Sequence, residues 1–300
     1  MKQKMDRPKV CGVLVTYHPT IATIGNISAI IEQVEDIVVV DNGSTADEIG
    51  FLREASRTLK FGLIENGENL GIADALNQGV AAAISKNFLW VLLFDQDSRI
   101  TPAFVDAMFR EWDAHMDKHR IVTVQPRYID PATGSEAAVR RIGSEALACM
   151  TSGTLLPTWA FDAVGWFLSE YFIDYVDIEY SLRARSLGYF SVQAQEAVLL
   201  HKAGNPTTRR LLGFVSYQPS NHDATRRYYI MRNRIATARR YFRLFPFWVI
   251  RDLLSVNKDV VKIVTGERQR REKLHAMLRG AIDGVRGRMG KMTPIGSREM

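Results

Sequence analysis

An α/β fold with a mainly parallel sheet flanked by helices is what this sequence predicts, on three observations. Short β-branched runs alternate through the first half of the chain with stretches of helical apolar spacing. Each run ends in a polar cluster, as strands do at the carboxyl edge of a parallel sheet. The 300 residues are 46% apolar and 24% charged, which allows a sizeable core and excludes disordered, collagen-like and coiled-coil classes.

Val10 to Val15 is the first strand. Residues 10–31 contain no Asp, Glu, Lys or Arg and are long enough to suggest a membrane span, but Thr16-Tyr17-His18-Pro19-Thr20 interrupts them with turn chemistry. The stretch therefore divides into a strand and a helix. Ile37 to Val40 and Phe61 to Ile64 are the next strands, and a helix follows from about Ile72 to Ser85. Phe88 to Phe94 is apolar throughout, and a helix is expected to begin near Thr101-Pro102. After Ile121 to Gln125 the alternation lapses: Tyr128 to Ile142 reads as a hairpin or loop excursion turning at Pro131 and Gly134. Met150 to Leu156 reads as a returning strand, and helical spacing resumes over Trp159 to Val164 and Val176 to Leu187, where Gly188 supplies a C-cap. A short run, Ala197 to Leu200, ends at His201.

Two cysteines, Cys11 and Cys149, are too few for a disulfide framework and fit a reducing compartment. Asp6, Arg7 and Pro8 follow the basic opening where a signal peptide needs its apolar stretch, so no secretion signal is expected. Charge is distributed unevenly. Through His201 there are 17 Lys and Arg against 26 Asp and Glu, a balance of −9; from Lys202 onward there are 22 against 7, a balance of +15. An acidic part can hold a cation or activate a hydroxyl, whereas a basic, aromatic-bearing part can seek nucleic acid or anionic lipid.

Asp95-Gln96-Asp97 directly follows the apolar strand, so two carboxylates stand at its exit. Oxygen ligands there suit Mg²⁺ or Mn²⁺ on a nucleotide's phosphates; alternatively Asp97-Ser98 caps the next helix. Asp174, Asp177 and Glu179 lie within six residues beside Tyr171, Phe172 and Tyr175. They either favour the dipole of a helix that starts near Val176 or form an acidic cluster in an apolar wall suited to general-base work. His201 leaves a strand end and becomes a metal-ligand candidate only beside a cation site. Asn69 is a plausible N-cap that could also reach a nucleotide. The sequence has no G-x-G-x-x-G after its first strand, no P-loop and no G-x-S-x-G elbow, and neither cysteine has metal-ligand spacing.

In order and spacing, Val15-Thr16-Tyr17-His18-Pro19, Val39-Val40-Asp41-Asn42-Gly43-Ser44, Asn69-Leu70-Gly71-Ile72-Ala73, Phe94-Asp95-Gln96-Asp97-Ser98, the Asp174 to Glu179 cluster, His201, and Arg227-Tyr228-Tyr229 with Arg232-Asn233 form a set. It resembles the inverting family-2 glycosyltransferases of the GT-A fold, Rossmann-like in their sheet, and among them the bacterial rhamnosyltransferases of O-antigen and related polysaccharide assembly. The resemblance implies a nucleotide-sugar site at Thr16, Tyr17, Asp41, Asn42, Asn69, Gly71, Asp95 and Arg232. It further implies a divalent ion, Mg²⁺ or Mn²⁺, on Asp95, Asp97 and His201, and Asp177 as catalytic base with support from Asp174 and Glu179. Many relatives carry Glu just before the base, where this chain has Val176. The implied reaction moves L-rhamnose from dTDP-rhamnose to a lipid-linked saccharide, in the cytoplasm at the inner face of the plasma membrane. Galactofuranosyl, glucosyl and N-acetylglucosaminyl nucleotides are alternative donors.

On this reading residues 1–235 are the catalytic domain and 236–300 a basic, amphipathic helical region. Arg243, Arg251 and Asp252 interrupt the apolar run from Tyr241 to Gly266 too often for a span. It fits a segment lying on an anionic membrane with Phe245, Phe247 and Trp248 at headgroup level, or one whose aromatics pack inward. A nucleic-acid binding module is disfavoured by the acidic N-terminal part and by the lack of a helix-turn-helix or RNA-binding signature, so no nucleic-acid partner is expected.

Overall fold

The computed structural model describes residues 7–137, 141–142, 145–147, 150–201, 209–211, 215–217 and 221–292. Cys149 and the first six residues lie outside these. The chain divides into two compact units, Met1–Phe167 with Asp177–Lys202, and Leu168–Val176 with Ala203–Met300.

In the first unit β1 (Val10–Thr16), β2 (Asp36–Asp41), β3 (Gly62–Glu65) and β4 (Trp90–Asp95) alternate with α1 (Ile21–Ile31), α2 (Ala46–Leu59) and α3 (Ile72–Ser85). They pair in parallel in the order β3-β2-β1-β4. Every residue of β1 is buried, as expected of a strand covered on both faces. After β4 come β5 (Arg99–Ile100), α4 (Phe104–Ala114), β6 (Ile121–Ile129), β7 (Arg141–Ile142), β8 (Glu145–Ala146), β9 (Leu155–Pro157), α5 (Trp159–Ala163), α6 (Val176–Ser186) and β10 (Phe190–Leu200). The sheet continues β9-β6-β10-β8-β7. Here β9 runs antiparallel to β4 and β6, while β6 and β10 are parallel. The sheet is therefore mixed, parallel in its first half and not in its second.

Three boundaries move from their sequence positions for local reasons. The helix expected near Thr101 begins at Phe104, because Arg99 and Ile100 are drawn into pairing with β10 and Ala103 takes a left-handed conformation. The strand expected over 150–156 shortens to Leu155–Pro157, since Gly153 at φ +76° turns the chain ahead of it. β10 runs from Phe190, well before Ala197, with a bulge between Gln193 and Val198. The main core joins both halves of the sheet, with Leu14, Phe94, Phe104, Val124 and Leu199 all at most 0% exposed. Trp90 packs edge-on against Phe109 and Trp112 of α4.

The second unit holds the hairpin β11 (Arg209–Leu211) and β12 (Val215–Tyr217), then α7 (Ala224–Tyr241), α8 (Pro246–Gly266) and α9 (Arg270–Arg286). α7 is continuous through position 235, so the boundary expected there falls inside a helix, and the compact units divide at 202/203. α9 lies directly on α7: a Cβ on Gly280 would sit 2.3 Å from the Tyr228 carbonyl oxygen, so only glycine permits this approach. Two buried ionic groups tie the helices together. Glu267 accepts from Arg227 (2.6 Å) and Lys273 (2.8 Å), and Arg234 reaches Tyr175 Oη (2.6 Å), Asp259 (3.1 Å) and Asp252 (3.3 Å).

Candidate active site

Parallel pairing aligns the carboxyl ends of β1, β2 and β4, with Thr16 opposite Asp41 and Val15 opposite Asp95. Thr16 Oγ1 donates to Asp41 Oδ2 at 3.0 Å, and both residues are fully buried. The other Asp41 oxygen accepts from the amides of Gly43 (3.2 Å) and Ser44 (2.9 Å), and the Ser44 hydroxyl also donates to this carboxylate. Asp41 thus organises the turn beyond β2. Gly43 has φ +96°, and a Cβ there would lie 2.5 Å from the Glu68 carbonyl carbon, so this turn and the 66–71 loop meet backbone to backbone. Asn42 bridges them: its Oδ1 accepts from Asn66 (3.1 Å) and the Leu70 amide (3.1 Å), and its Nδ2 donates to Asn69 Oδ1 (3.2 Å). Asn69 does not cap α3. Its Oδ1 accepts from the Gly71 amide (2.9 Å), and Gly71 itself, at φ +93°, holds the cap position. Tyr17 is half-exposed on the rim, with its ring 4.2 Å from that of His18.

Asp95, Asp97 and His201 each present a ligand atom within 4.8 Å of the others. The register explains it. β5 runs antiparallel to β10, with Ile100 opposite Leu199 and Arg99 opposite Leu200, so the next positions outward, Ser98 and His201, face each other beside Asp97. His201 Nδ1 lies 3.0 Å from Ser98 Oγ and 3.8 Å from Asp97 Oδ1. Ser98 accepts from Ser152 Oγ (2.7 Å), which in turn accepts from the Asp95 amide (3.0 Å); both serines are fully buried. Two carboxylates and an imidazole steadied by a hydroxyl form a donor set suited to a hard divalent cation. Asp97 and Ser98 do not cap a helix, since α4 starts only at Phe104.

Gln96, between the two aspartates, is a residue that sequence reasoning passed over. Its side chain accepts from the Tyr17 amide (2.9 Å) and donates to the Tyr17 carbonyl (3.0 Å), while Asn26 donates to its own carbonyl (2.9 Å). The β1 and β4 loops are thereby locked together. Ser152 is passed over too, and Ser98 is read in the sequence only as part of a helix cap and of the Asp-x-Asp string. Their only sequence signal is a hydroxyl beside a strand exit, which many loops share. His18 and Glu48 make a further contact at 2.9 Å. The Thr45 amide, then His18, then the Thr45 hydroxyl hold the Glu48 carboxyl down at about 2.

The three acids around the start of α6 have separate fates. Asp177 sits in the first turn, half-buried, accepts from the Ile178 amide (2.8 Å) and lines a small cavity with Thr151, Thr154, Met150 and Phe167. The same 150–154 loop carries Ser152, so one short segment touches both the Asp95 strand end and the Asp177 cavity. Glu179 is fully buried and bound through both oxygens to Arg183 (3.2 and 2.9 Å), which also donates to the carbonyls of Val164 and Trp166. It braces α6 through Arg183. Asp174, in the second unit, is paired with Arg226 (3.1 Å).

Arg232 also departs from expectation. It is fully buried in the second unit, with its guanidinium donating to the carbonyls of Glu170 (3.1 Å), Tyr171 (3.0 Å) and Gly290 and lying 4.9 Å from the Tyr229 ring centroid. A cation so committed to backbone oxygens is not presented to a diphosphate. Asn233 donates to the carbonyls of Tyr171 (2.9 Å), Ile173 (2.8 Å) and Asp174 (2.8 Å). Together they pin a segment in which Phe172, Asp174 and Tyr175 all adopt φ near +60°, a costly conformation that persists only when its surroundings impose it.

Residues 20–164, which bring the Asp-x-Asp exit to the parallel-sheet rim, match Glycosyl transferase family 2, so the chain carries a domain of that family. Its sequence is 26% identical over 302 residues to dTDP-rhamnosyl transferase RfbF of Shigella flexneri, covering 94% of this chain and 97% of that one. The fold is similar to mannosyltransferase PcManGT from Pyrobaculum calidifontis in complex with GDP-Man and Mn²⁺, with TM-score 0.59 and 15% identity over 95% of this chain and 89% of that one. It is also similar to S. aureus TarS 1–349 in complex with UDP-GlcNAc, with TM-score 0.53 and 13% identity over 92% and 81% of the two chains. The architecture is GT-A-like with a C-terminal helical region.

Proposed function

We infer that this glycosyltransferase is inverting and metal-dependent, and that it moves L-rhamnose from dTDP-rhamnose to a hydroxyl of a lipid-linked saccharide in O-antigen or related lipopolysaccharide assembly. The observation that carries the reading is the convergence of Asp95, Asp97 and His201 at the rim, in a chain alike over nearly its whole length to a dTDP-rhamnosyl transferase. A divalent cation, Mn²⁺ or Mg²⁺, held by these three residues would supply positive charge against the leaving nucleoside diphosphate. Thr16, Tyr17, Asp41, Asn42, Asn69 and Gly71 shape the edge on which the nucleotide lies, with Asp41 and Asn42 holding the loops rigid and Tyr17 offering an exposed ring. Asp177 accepts the proton of the acceptor hydroxyl as that oxygen attacks C1 from the face opposite the diphosphate. One base and no covalent sugar intermediate suffice for inversion, by analogy with single-displacement glycoside chemistry. The place of work is the cytoplasmic face of the plasma membrane, where lipid-linked acceptors reside.

The test is a donor panel of dTDP-rhamnose, GDP-mannose, UDP-glucose, UDP-galactofuranose and UDP-N-acetylglucosamine, scored by thermal shift with and without Mn²⁺ and by product mass on a lipid-linked acceptor. A shift and a deoxyhexose product with dTDP-rhamnose alone are expected. A product from another donor, with none from dTDP-rhamnose, would transfer the assignment to that sugar. GDP-Man and UDP-GlcNAc in the structural relatives favour this second reading.

A further inference from the structure

The helix α8 carries a long exposed apolar face. Phe247, Ile250, Leu254, Val261 and Val264 recur at intervals of three, four, seven and three, and therefore share one side of the helix. All five are exposed, Phe247 by 87% and Leu254 by 61%, and Phe242 and Leu244 in the preceding turn are exposed as well. The stripe runs for about 26 Å at the helical rise. Beside it stand the exposed Arg251 and Lys258 and the half-buried Lys262, spaced by seven and four and so aligned with one another. The acids of the same helix point the other way. Asp252 and Asp259 both face Arg234, at 3.3 and 3.1 Å, and Asp252 also accepts from Tyr175 Oη at 2.7 Å. Their charge is used inside the unit, leaving an outer face of mostly apolar groups, with the neutral Asn257 and Thr265 among them, whose charged neighbours on the helix are cations.

We propose that this face is a docking surface for an anionic lipid bilayer, with α8 lying in the membrane plane. It deepens the membrane-side placement given above and rests on that placement, independently of which sugar is transferred. The residues at headgroup level differ from those the sequence suggested: Trp248 is buried and Phe245 half-buried, and the insertion belongs to Phe247, Ile250, Leu254, Val261 and Val264. Among the described residues no helix is long and apolar enough to cross a membrane, so the helix lies on the surface instead of spanning it. Charge selects the occupant. The chain from Lys202 onward carries +15, so a second copy of this face would meet a like-charged surface, whereas acidic headgroups complement it.

The experiment floats the full chain with vesicles of phosphatidylcholine containing phosphatidylglycerol, and with phosphatidylcholine alone, at low and high salt. The wild type is expected to float with the anionic vesicles at low salt. Leu254→Glu with Val261→Glu is expected to reduce the bound fraction at least about tenfold, and Arg251→Glu with Lys258→Glu to remove the preference for anionic lipid. Circular dichroism and light scattering accompany each variant. Wild type that stays with the protein fraction overturns the proposal, as does a folded Leu254→Glu/Val261→Glu variant that floats unchanged. A wild-type dimer that this variant converts to monomer, without lipid binding by either, also overturns it and identifies the face as a self-interface. Transfer to a soluble acceptor is assayed on the same variants, so a failed transferase reading and a failed membrane reading give different results.

Discussion

At Asp177, exchange of one carboxylate oxygen for nitrogen removes proton-accepting capacity while keeping the size of the side chain and an oxygen for the Ile178 amide. Asp177→Asn is expected to lower kcat by about 10² to 10⁴ with the donor KM little changed, the loss ordinarily seen when a positioned base is removed. Near-normal turnover in steady-state assays would place the base elsewhere. Ser98 makes a second, independent test, because its hydroxyl stands between His201 and Ser152 and touches no reacting group. Removing a residue that orients a ligand weakens metal affinity by about 10- to 100-fold, so Ser98→Ala should shift a Mn²⁺ titration followed by thermal stability to higher concentration. An unchanged titration would mean that His201 is not a ligand or needs no such support.

Elements matter where their pairing supplies what single residues cannot. The two-residue strand β5 brings Ser98 opposite His201, a hundred positions away along the chain, through a register of two residue pairs. In the second unit, Glu267 sits at the end of α8 and accepts from Arg227 of α7 and Lys273 of α9, so three helices share one carboxylate. Burial alone would raise its pKa, but Lys273 and Arg227 outweigh that and hold it below the ordinary value of 4.5. A carboxyl depressed in the folded state contributes stability fully above the unfolded pKa and loses it as pH falls through the folded one. Unfolding free energy should therefore decline below about pH 4.5, and Glu267→Gln should flatten part of that decline in denaturant titrations across pH. At neutral pH Glu267→Ala removes the carboxylate that Arg227 and Lys273 share and should cost about 3–5 kcal/mol. A change under 1 kcal/mol by chemical denaturation would show that water relieves the site.

For the whole molecule, charge is segregated along the chain, −9 through His201 and +15 after it. The acidic part contains the proposed cation site and the basic part the proposed lipid-facing helix. A divalent ion held by Asp95, Asp97 and His201 would join the ends of β4 and β10, so binding should stabilise the folded state by mass action, by about 2.7 kcal/mol at a free concentration 100 times Kd. Chelation should abolish transfer and lower Tm, and Mn²⁺ should restore both. A calorimetric Tm indifferent to chelator and Mn²⁺ would rule out a resident cation at this rim.

The sequence by itself determined the alternation of strands and helices, the polar exits of the first four strands and the metal-suited Asp95-Gln96-Asp97, because hydrophobic period and residue chemistry are local properties. It also marked Arg232 and Glu179 as available charges, and there tertiary structure decided otherwise. Arg232 is consumed by carbonyls up to 62 positions away and Glu179 by an arginine one helical turn on, and neither commitment is visible until packing closes around them. The antiparallel strand β9 inserted between β4 and β6, the Ser98-Ser152 relay and the outward face of α8 were likewise fixed only by long-range pairing. Such pairing sets which side of an element is covered, and local composition carries no record of it.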